Sequence, residues 1–598
     1  MTSLTFSLPI PTQAPPNPES PLLNPQKLAA WVAELPTTNF GDLARQVYRQ
    51  LIASNRAQLP PAIRIKGLSC FTESLRYLIT NLERHFLNTP LPLSEKRHNI
   101  ALLCRELYYQ QMIGHQCAIL DLLAGHQLDR EQLVLAIQRA LLFSLDTVYH
   151  AAIIYDLLPQ GFWRDVHQLY RLAVVHRLER HPVTPDPHQT RPATTCQQAY
   201  QQVMAFGLGS PARLRQNEIK RFYLGIETWA KPMRIHESGF LEPSFCRFLV
   251  RDQEDAPPTH SVLIPSDAVD VVRVIETHDM VYALREGYEG FPAEPLSPRV
   301  AQDFTLMTQH LARQLIRSWS AAPRRQFMRS STVNEITAVT GLSAIYSRLQ
   351  NKSATPEVRP APSLEIVETN DLPSTDLLGP PDESSFDGYE TFGSNSQEVI
   401  RIWTEDSLSS AFVVNSFRAT NSSAGGYCIH WKAQKEAPEV TVGELLGIQS
   451  SDYPEHLSLA VTRWLQQDAR EGLQLGVELI SPEVRAVETC QLDKKPRVMH
   501  RTLLLPNLAA MGQNATLLTA PLTYRVGQTL LLREGEEAQK VRLTRLEDST
   551  GAFDRFNFLN TSMDTDKAHD PDEALPQSKK DRPVDLDAGK IDNILSLL

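Results

Sequence analysis

The stretch that decides the C-terminal half of this chain is Asn421-Ser422-Ser423-Ala424-Gly425-Gly426, followed by Tyr427-Cys428-Ile429-His430-Trp431. It predicts a polar turn that ends in paired glycines and leads directly into an alternating β-strand. Glycine has no Cβ, so such a turn leaves backbone N–H groups free and allows a ligand to approach closely. The stretch therefore predicts a ligand-accessible corner between two strands.

An arginine cluster, Arg324-Arg325-Gln326-Phe327-Met328-Arg329, lies upstream of this corner. Arg325 and Arg329 have the spacing RxxxR, and Asn421, Ser423 and Gly426 have the spacing [DN]xSxxG. In this order the two patterns resemble the signature of the PilZ family, whose members are small β-barrels that bind cyclic di-GMP. The resemblance implies that Arg324, Arg325, Arg329, Asn421, Ser423, Gly425 and Gly426 bind this nucleotide.

The resemblance extends beyond the two motifs and covers about residues 323–485. Thr441-Val442-Gly443-Glu444-Leu445 is similar to the family's next strand entry. Ala460-Val461-Thr462-Arg463-Trp464 and Leu475-Gly476-Val477-Glu478-Leu479 are similar to the two strands that close the barrel. The sequence departs from the family in one respect, because 91 residues separate Arg329 from Asn421.

The chemistry of arginine agrees with the implied ligand. Cyclic di-GMP carries two phosphates and two guanine edges with N7 and O6 acceptors. The planar fork of arginine pairs bidentately with phosphate or guanine and stacks on a base, whereas lysine supplies only a point charge. Asn421 and Ser423 can hydrogen-bond to base or phosphate.

Composition excludes several other classes of protein. The chain has 598 residues and a net charge of −10, but residues 354–399 contribute −9 and residues 561–598 contribute −4. The remainder is close to neutral, so a broad DNA- or RNA-binding surface is not predicted. Apolar runs are too short for a membrane span, and no signal peptide is evident. Seven scattered cysteines without CxxC spacing predict a reducing, cytoplasmic location.

The fold class predicted is α+β multidomain, with a mostly helical N-terminal half, a PilZ-like six-stranded β-barrel and a further β-rich unit. The predicted divisions are a disordered leader (1–23), a helical domain (24–228), a mixed β/α segment (229–322), the PilZ-like barrel (323–485), a second β-rich unit (486–560) and an acidic disordered tail (561–598). A PilZ-like fold is one alternative for the second β-rich unit. A disordered acidic insertion is predicted at 353–398 within the barrel.

Several local patterns complete these predictions. Asn24-Pro25 predicts a helix start, and Asp129 predicts another. Ser261–Ile264 and Ser331–Tyr346 are predicted as β-rich, and an amphipathic helix is predicted over roughly Pro298–Trp319. The C-terminal Ile591–Leu598 is predicted to fray, with a short amphipathic helix on a partner as the alternative.

No catalytic, metal or cofactor site is predicted. His176 and His181 suit solvated or capping roles, and the GxxxxGK[ST], HExxH, GxSxG, GxGxxG and GGDEF strings do not occur. We therefore predict a non-enzymatic cyclic di-GMP receptor whose helical half binds an unidentified protein partner. The resemblance implies signal transduction in bacterial motility, surface attachment or biofilm formation. Two alternatives stay open: a scaffold with a degenerate PilZ domain that binds no nucleotide, and an enzyme hidden in the helical half.

Overall fold

The computed structural model describes residues 8–89, 91–184, 195–237, 244–264, 273–289, 309–320, 334–350, 358–359, 414–423, 425–431, 440–450, 456–468, 472–492, 498–508 and 514–561. The arginine cluster, most of the acidic insertion and the tail beyond Thr561, with its Ile591–Leu598 ending, lie outside these residues. The described chain forms a helical half, a small sheet and two β-barrels, so the predicted α+β multidomain class is confirmed.

Local capping signals start the helices of the N-terminal half. The Asn24 side chain accepts hydrogen bonds from the backbone N–H groups of Gln26 (2.9 Å) and Lys27, and Pro25 occupies the first helical position, as predicted. Asp129 caps a later helix through Gln132 N (3.0 Å). The helices are α1 (Pro25–Ala33), α2 (Phe40–Arg56), α3 (Pro61–Cys70), α4 (Thr72–Leu82), α5 (Glu95–Ala124), α6 (Arg130–Ala152), α7 (Phe162–Val175), α8 (Cys196–Leu208) and α9 (Gln216–Trp229).

Residues 8–23 of the predicted leader pack on the helical half, so the prediction of disorder is wrong for these residues. Leu8 is buried in the core of the helical half. Ala14 N donates to Arg56 O (2.8 Å), and Gln58 N donates to Ala14 O (2.9 Å). An extended, proline-rich segment can therefore pack along α2 even though its composition resembles that of a disordered chain.

A four-stranded antiparallel sheet, in the order β1-β4-β2-β3, follows the helices. Its buried Arg273 pairs with Asp252 (2.7 Å), and the guanidinium lies 5.2 Å from the Tyr170 ring of α7, which anchors the sheet on the helical half. Its elements are β1 (Arg234–Glu237), β2 (Arg247–Val250), β3 (Thr259–His260), β4 (Arg273–Glu276), α10 (His278–Glu289) and α11 (Gln309–Ser320). Ser261–Leu263 is a 3₁₀ turn, so the β-rich prediction there is wrong.

Six strands close into the first barrel, in the ring order β5-β9-β10-β11-β8-β7. The ring closes because β5 pairs with both β9 and β7, and a short β6 adds in parallel to β7. The strands are β5 (Asn334–Thr340), β6 (Val358–Arg359), β7 (Val414–Ser423), β8 (Gly426–Trp431), β9 (Leu445–Ser450), β10 (Ser458–Asp468) and β11 (Gly472–Ser481).

A helix interrupts the region predicted as strand-rich between Ser331 and Tyr346. The strand β5 ends at Thr340, Gly341 adopts a φ of +90°, and α12 (Leu342–Gln350) begins directly after it. The left-handed conformation of Gly341 breaks the strand, because few other residues adopt it without strain. The prediction is therefore correct for Ile336 and Val339 and wrong from Leu342 onward.

The second β-rich unit is a closed six-stranded antiparallel barrel with the ring order β12-β13-β14-β17-β16-β15. Its interior is lined by residues such as Leu517, Leu530, Val541 and Phe556. The strands are β12 (Arg485–Gln491), β13 (His500–Leu505), β14 (Thr516–Thr519), β15 (Thr529–Glu534), β16 (Glu537–Ser549) and β17 (Asp554–Thr561).

Apolar packing joins the three units. One hydrophobic cluster runs from the helical half into the first barrel and includes Ile429 and Leu475. A second cluster joins the outer face of the first barrel and α12 to the second barrel, with Val461 and Phe553 among its members. Separating any unit would expose apolar surface, at roughly 25 cal/mol per Å².

Arg215, the residue before α9, lies where the three units meet. Its Nε donates to Val442 O of the first barrel (2.9 Å), and a guanidinium nitrogen lies close to Gly551 of the second barrel. Thr550 Oγ1 donates to Gly443 O (2.8 Å) beside it. Arg215 is half-buried at this junction, and its partial burial lowers the pKa of the guanidinium.

We expect Arg215→Ala to lower the free energy of unfolding by about 1.5–3 kcal/mol, because a charge-assisted hydrogen bond is lost at a buried junction. Chemical denaturation measures the change, and limited proteolysis reports loosening between the units. The matched control is Arg76→Ala on an exposed face of α4, for which we expect a change within about 0.5 kcal/mol. Equal stability of the two variants would show that the junction does not depend on Arg215.

Candidate functional site

The predicted polar corner is the end of a strand followed by a short connection. β7 and β8 form a hairpin in which Ser423 pairs with Gly426 and Asn421 pairs with Cys428. Asn421 and Ser423 are therefore among the last residues of strand β7, where both pair with β8. The prediction that they lie in a turn is wrong. In the sequence, two residues separate Ser423, the last residue of β7, from Gly426, the first residue of β8.

Gly426 permits a close approach, but the approaching group is the protein's own backbone. A Cβ at Gly426 would lie 2.0 Å from the carbonyl oxygen of Val477 in β11, and the residue has a φ of +155°. Leu479 N donates to Gly425 O (3.0 Å), so the hairpin end is held against β11. The glycine is thus required by strand packing, independently of any ligand.

The arginine cluster lies outside the described residues, but β5, the strand that follows it in the sequence, is described. β5 begins at Asn334, which pairs with Ala419 of β7, two residues before Asn421. Arg329 precedes Asn334 by five residues, so an extended chain would separate their Cα atoms by at most about 18 Å. Pairing of β5 with β7 therefore places the fifth residue after Arg329 next to the strand that carries Asn421.

A row of paired residues connects the hairpin to a charged cluster on β10 and β11. Glu478 of β11 pairs with Gly426, which pairs with Ser423 across the hairpin. The Glu478 carboxylate accepts from Arg463 Nε of β10 (2.5 Å). Arg463 also lies 3.4 Å from Asp548 of the second barrel. The outer face next to the hairpin is therefore an ionic surface shared by two barrels.

The helical half contributes a further arginine to this surface. The 3₁₀ turn Pro211–Arg213 packs against β10. Partial removal from water and the nearby Arg463 guanidinium lower the pKa of Arg213, and the Glu478 carboxylate opposes this shift. The pKa of Arg555 in the second barrel is also lowered, chiefly by burial. Three guanidinium groups from three units thus lie around Glu478, Asp548 and Glu547, so the cluster holds similar numbers of positive and negative side chains.

Arg213 and Arg463 were not predicted as site residues. They lie far apart in the sequence, and neither is part of a local motif. Arg463 was predicted only as part of a barrel strand. Its position at a register shift between Thr462 and Trp464 is not visible in the sequence pattern.

The described residues show no group of three or more His, Cys, Asp or Glu side chains that could hold a metal ion. Among the helices that the structure describes, none combines the length and the apolar character needed to cross a bilayer. His176 is the C-cap residue of α7, in keeping with the capping role predicted for it.

Three family models match successive parts of the chain. Residues 247–485, which include the first barrel and its hairpin, match the model described as the middle PilZ domain of the cyclic-di-GMP receptor FimW. This region is a PilZ domain. Residues 26–239 match the N-terminal domain of the same receptor, and residues 486–560 match its C-terminal β-barrel domain. The predicted resemblance to the PilZ family is therefore confirmed, and the helical half, not recognised from sequence patterns, has a family match as well.

A curated relative matches almost the whole chain. The cyclic-di-GMP receptor FimW of Pseudomonas aeruginosa strain PAO1 is 29% identical over 592 residues, which cover 94% of this chain and 95% of the relative. No solved structure matches the chain. The relative therefore shares the order of a helical region, a PilZ domain and a second barrel over nearly its full length.

We expect Gly426→Ala to destabilise the PilZ domain by about 3 kcal/mol, because an overpacked contact with Val477 adds to an unfavourable φ. Thermal and chemical unfolding measure this loss. Gly535→Ala is the matched control, since Gly535 has a φ of +60° and no heavy atom within 4 Å of its ideal Cβ position. It should cost only about 1–2 kcal/mol of backbone strain. Equal losses would mean that the approach of β11 is not a constraint.

Proposed function

We propose that this chain is a cyclic di-GMP receptor, and that the nucleotide binds on the PilZ domain at the end of the β7–β8 hairpin. The residues proposed to bind it are Arg324, Arg325, Arg329, Asn421, Ser423, Gly425 and Gly426. The observation that carries the proposal is the pairing of β5 with β7, which places the start of β5 beside Ala419 and thus within reach of both motifs. The match to a cyclic-di-GMP receptor over nearly the whole chain supports it.

The chain acts in this proposal as a receptor and not as an enzyme. Ligand recognition requires positioned arginines and hydrogen-bonding groups, and no nucleophile or general base is needed. The helical half is proposed to bind a protein partner, and the cytoplasm is proposed as the location. All seven cysteines are free, which suits a reducing compartment.

The divisions of the chain follow from the same proposal. A helical unit begins near residue 24, and the PilZ domain and the second barrel meet near residue 485. The first barrel binds the nucleotide, and the units packed around it respond to whether the nucleotide is bound. The ranges of the three family models support this arrangement.

Calorimetry with cyclic di-GMP tests the proposal. We expect the double variant Arg325→Ala/Arg329→Ala to bind at least about a hundredfold more weakly than the unmodified chain, since each lost charge-assisted hydrogen bond costs about 1.5–3 kcal/mol. The chain contains a matched control in α11, where Arg313 and Arg317 are exposed and also four residues apart. The variant Arg313→Ala/Arg317→Ala removes the same charge at the same spacing and should keep full affinity.

The ligand can be varied in the same experiment. The arginine fork matches the N7 and O6 acceptors of guanine, whereas adenine presents an amino donor in place of O6. Cyclic di-AMP should therefore bind more weakly than cyclic di-GMP. No binding of cyclic di-GMP to the unmodified chain would contradict the receptor proposal and favour a scaffold with a degenerate PilZ domain.

A further inference from the structure

A β-bulge displaces Arg463 from the regular ladder of the PilZ domain. Thr462 of β10 pairs with Val477, and Trp464 pairs with Gly476, so Arg463 is an extra residue between two consecutive pairs. Bulges bend a strand and re-aim a side chain, and they are frequent next to functional sites. Here the bulge directs Arg463 towards Glu478, with 2.5 Å between Nε and the carboxylate.

The bulge lies close to the proposed nucleotide site. Glu478, Gly426 and Ser423 are consecutive members of one row across β11, β8 and β7. Neighbouring strands are about 4.8 Å apart, so Glu478 and Ser423 are separated by roughly 10 Å along the sheet. Paired residues share a face, and this face carries Arg463. A ligand of dinucleotide size at the hairpin end can therefore reach the Arg463 guanidinium.

The present partners of Arg463 hold it weakly. The Arg463 side chain is 35% exposed, and Glu478 is 55% exposed. The Asp548 side chain is 29% exposed. Ion pairs this open to water shift an equilibrium by less than about tenfold, because water screens both charges. A bound nucleotide would cover Arg463 and exclude part of this water, and a charge-assisted hydrogen bond to its phosphate would then shift the equilibrium by roughly ten- to a hundredfold. A phosphate can therefore displace the two carboxylates from Arg463 with a net gain.

We propose that Arg463 is a further nucleotide-binding residue, and that it exchanges partners when the site fills. Without nucleotide, its guanidinium is shared by Glu478 of the PilZ domain and Asp548 of the second barrel. A phosphate of cyclic di-GMP takes over the guanidinium and frees Asp548. This inference rests on the proposed function, and it adds a residue that couples occupancy to the contact between the two barrels.

The proposed exchange predicts that nucleotide affinity rises in some variants of the cluster and falls in others. A purely structural ion pair does not predict such opposite changes. Glu478 and Asp548 compete with the phosphate, so removing either carboxylate should tighten nucleotide binding. Removing Arg463 should weaken it. If the cluster only stabilised the fold, loss of any of the three members would break the same contacts and change affinity in the same direction.

Calorimetry with cyclic di-GMP on the full chain distinguishes the two cases. We expect Arg463→Gln to weaken binding about tenfold or more, and Glu478→Gln and Asp548→Asn each to tighten it about three- to tenfold. The matched control is Arg485→Gln, since Arg485 also pairs with an exposed carboxylate, that of Glu483, on the second barrel. Its affinity should equal that of the unmodified chain.

Unchanged affinity in Arg463→Gln, or weaker binding in Asp548→Asn, would overturn the inference while leaving the receptor proposal intact. If the unmodified chain binds no cyclic di-GMP, both fail together, so the two failures are distinguishable. Circular dichroism and thermal unfolding verify that each variant is folded. Should Arg463→Gln not fold, the two carboxylate variants still decide, because tighter binding supports the exchange and unchanged or weaker binding contradicts it.

Discussion

Pairing of β5 with β7 is the contact on which the candidate site depends. It closes the first barrel and pairs two strands whose facing ends in the chain, Thr340 and Val414, are separated by 73 residues. The entropic cost of closing a loop grows slowly with length, by about 0.6 kcal/mol for each doubling. Five consecutive pairs, from Asn334 with Ala419 to Ala338 with Asn415, oppose that cost with a continuous ladder. A long insertion is therefore compatible with a closed barrel.

Features determined by neighbouring residues were predictable from the sequence. Asn24-Pro25 and Asp129 start helices because capping involves only the next three residues. The strands around Ala460 and Leu475 follow from alternating side chains. The ordered leader was not predictable, because Leu8 and Ala14 gain their order from α2 and its neighbours. The helix α12 was missed although Gly341 marked its start, since a single glycine also fits a bulge or a turn.

The site was predictable to a smaller extent. The spacing of Asn421, Ser423 and Gly426 identified the hairpin, but these polar residues continue a strand because β8 supplies backbone partners. Arg213 and Arg463 could not be found from spacing, since they come from different units. A one-residue register shift in β10 decides where Arg463 points. Such a shift depends on the pairing of two whole strands, and the sequence around Arg463 does not indicate it.

The packing around the PilZ domain restricts how it can respond to a ligand. Its interior belongs to the same apolar cluster as the helical half, and its outer face shares another apolar cluster with the second barrel. Rotation of any unit would expose this surface to water, and Arg215 adds polar contacts at the junction. The least costly rearrangement is therefore an exchange of side-chain partners at the rim of the interfaces, where Arg463 and Asp548 are partly solvated. The proposed nucleotide would compete there with partly exposed ion pairs.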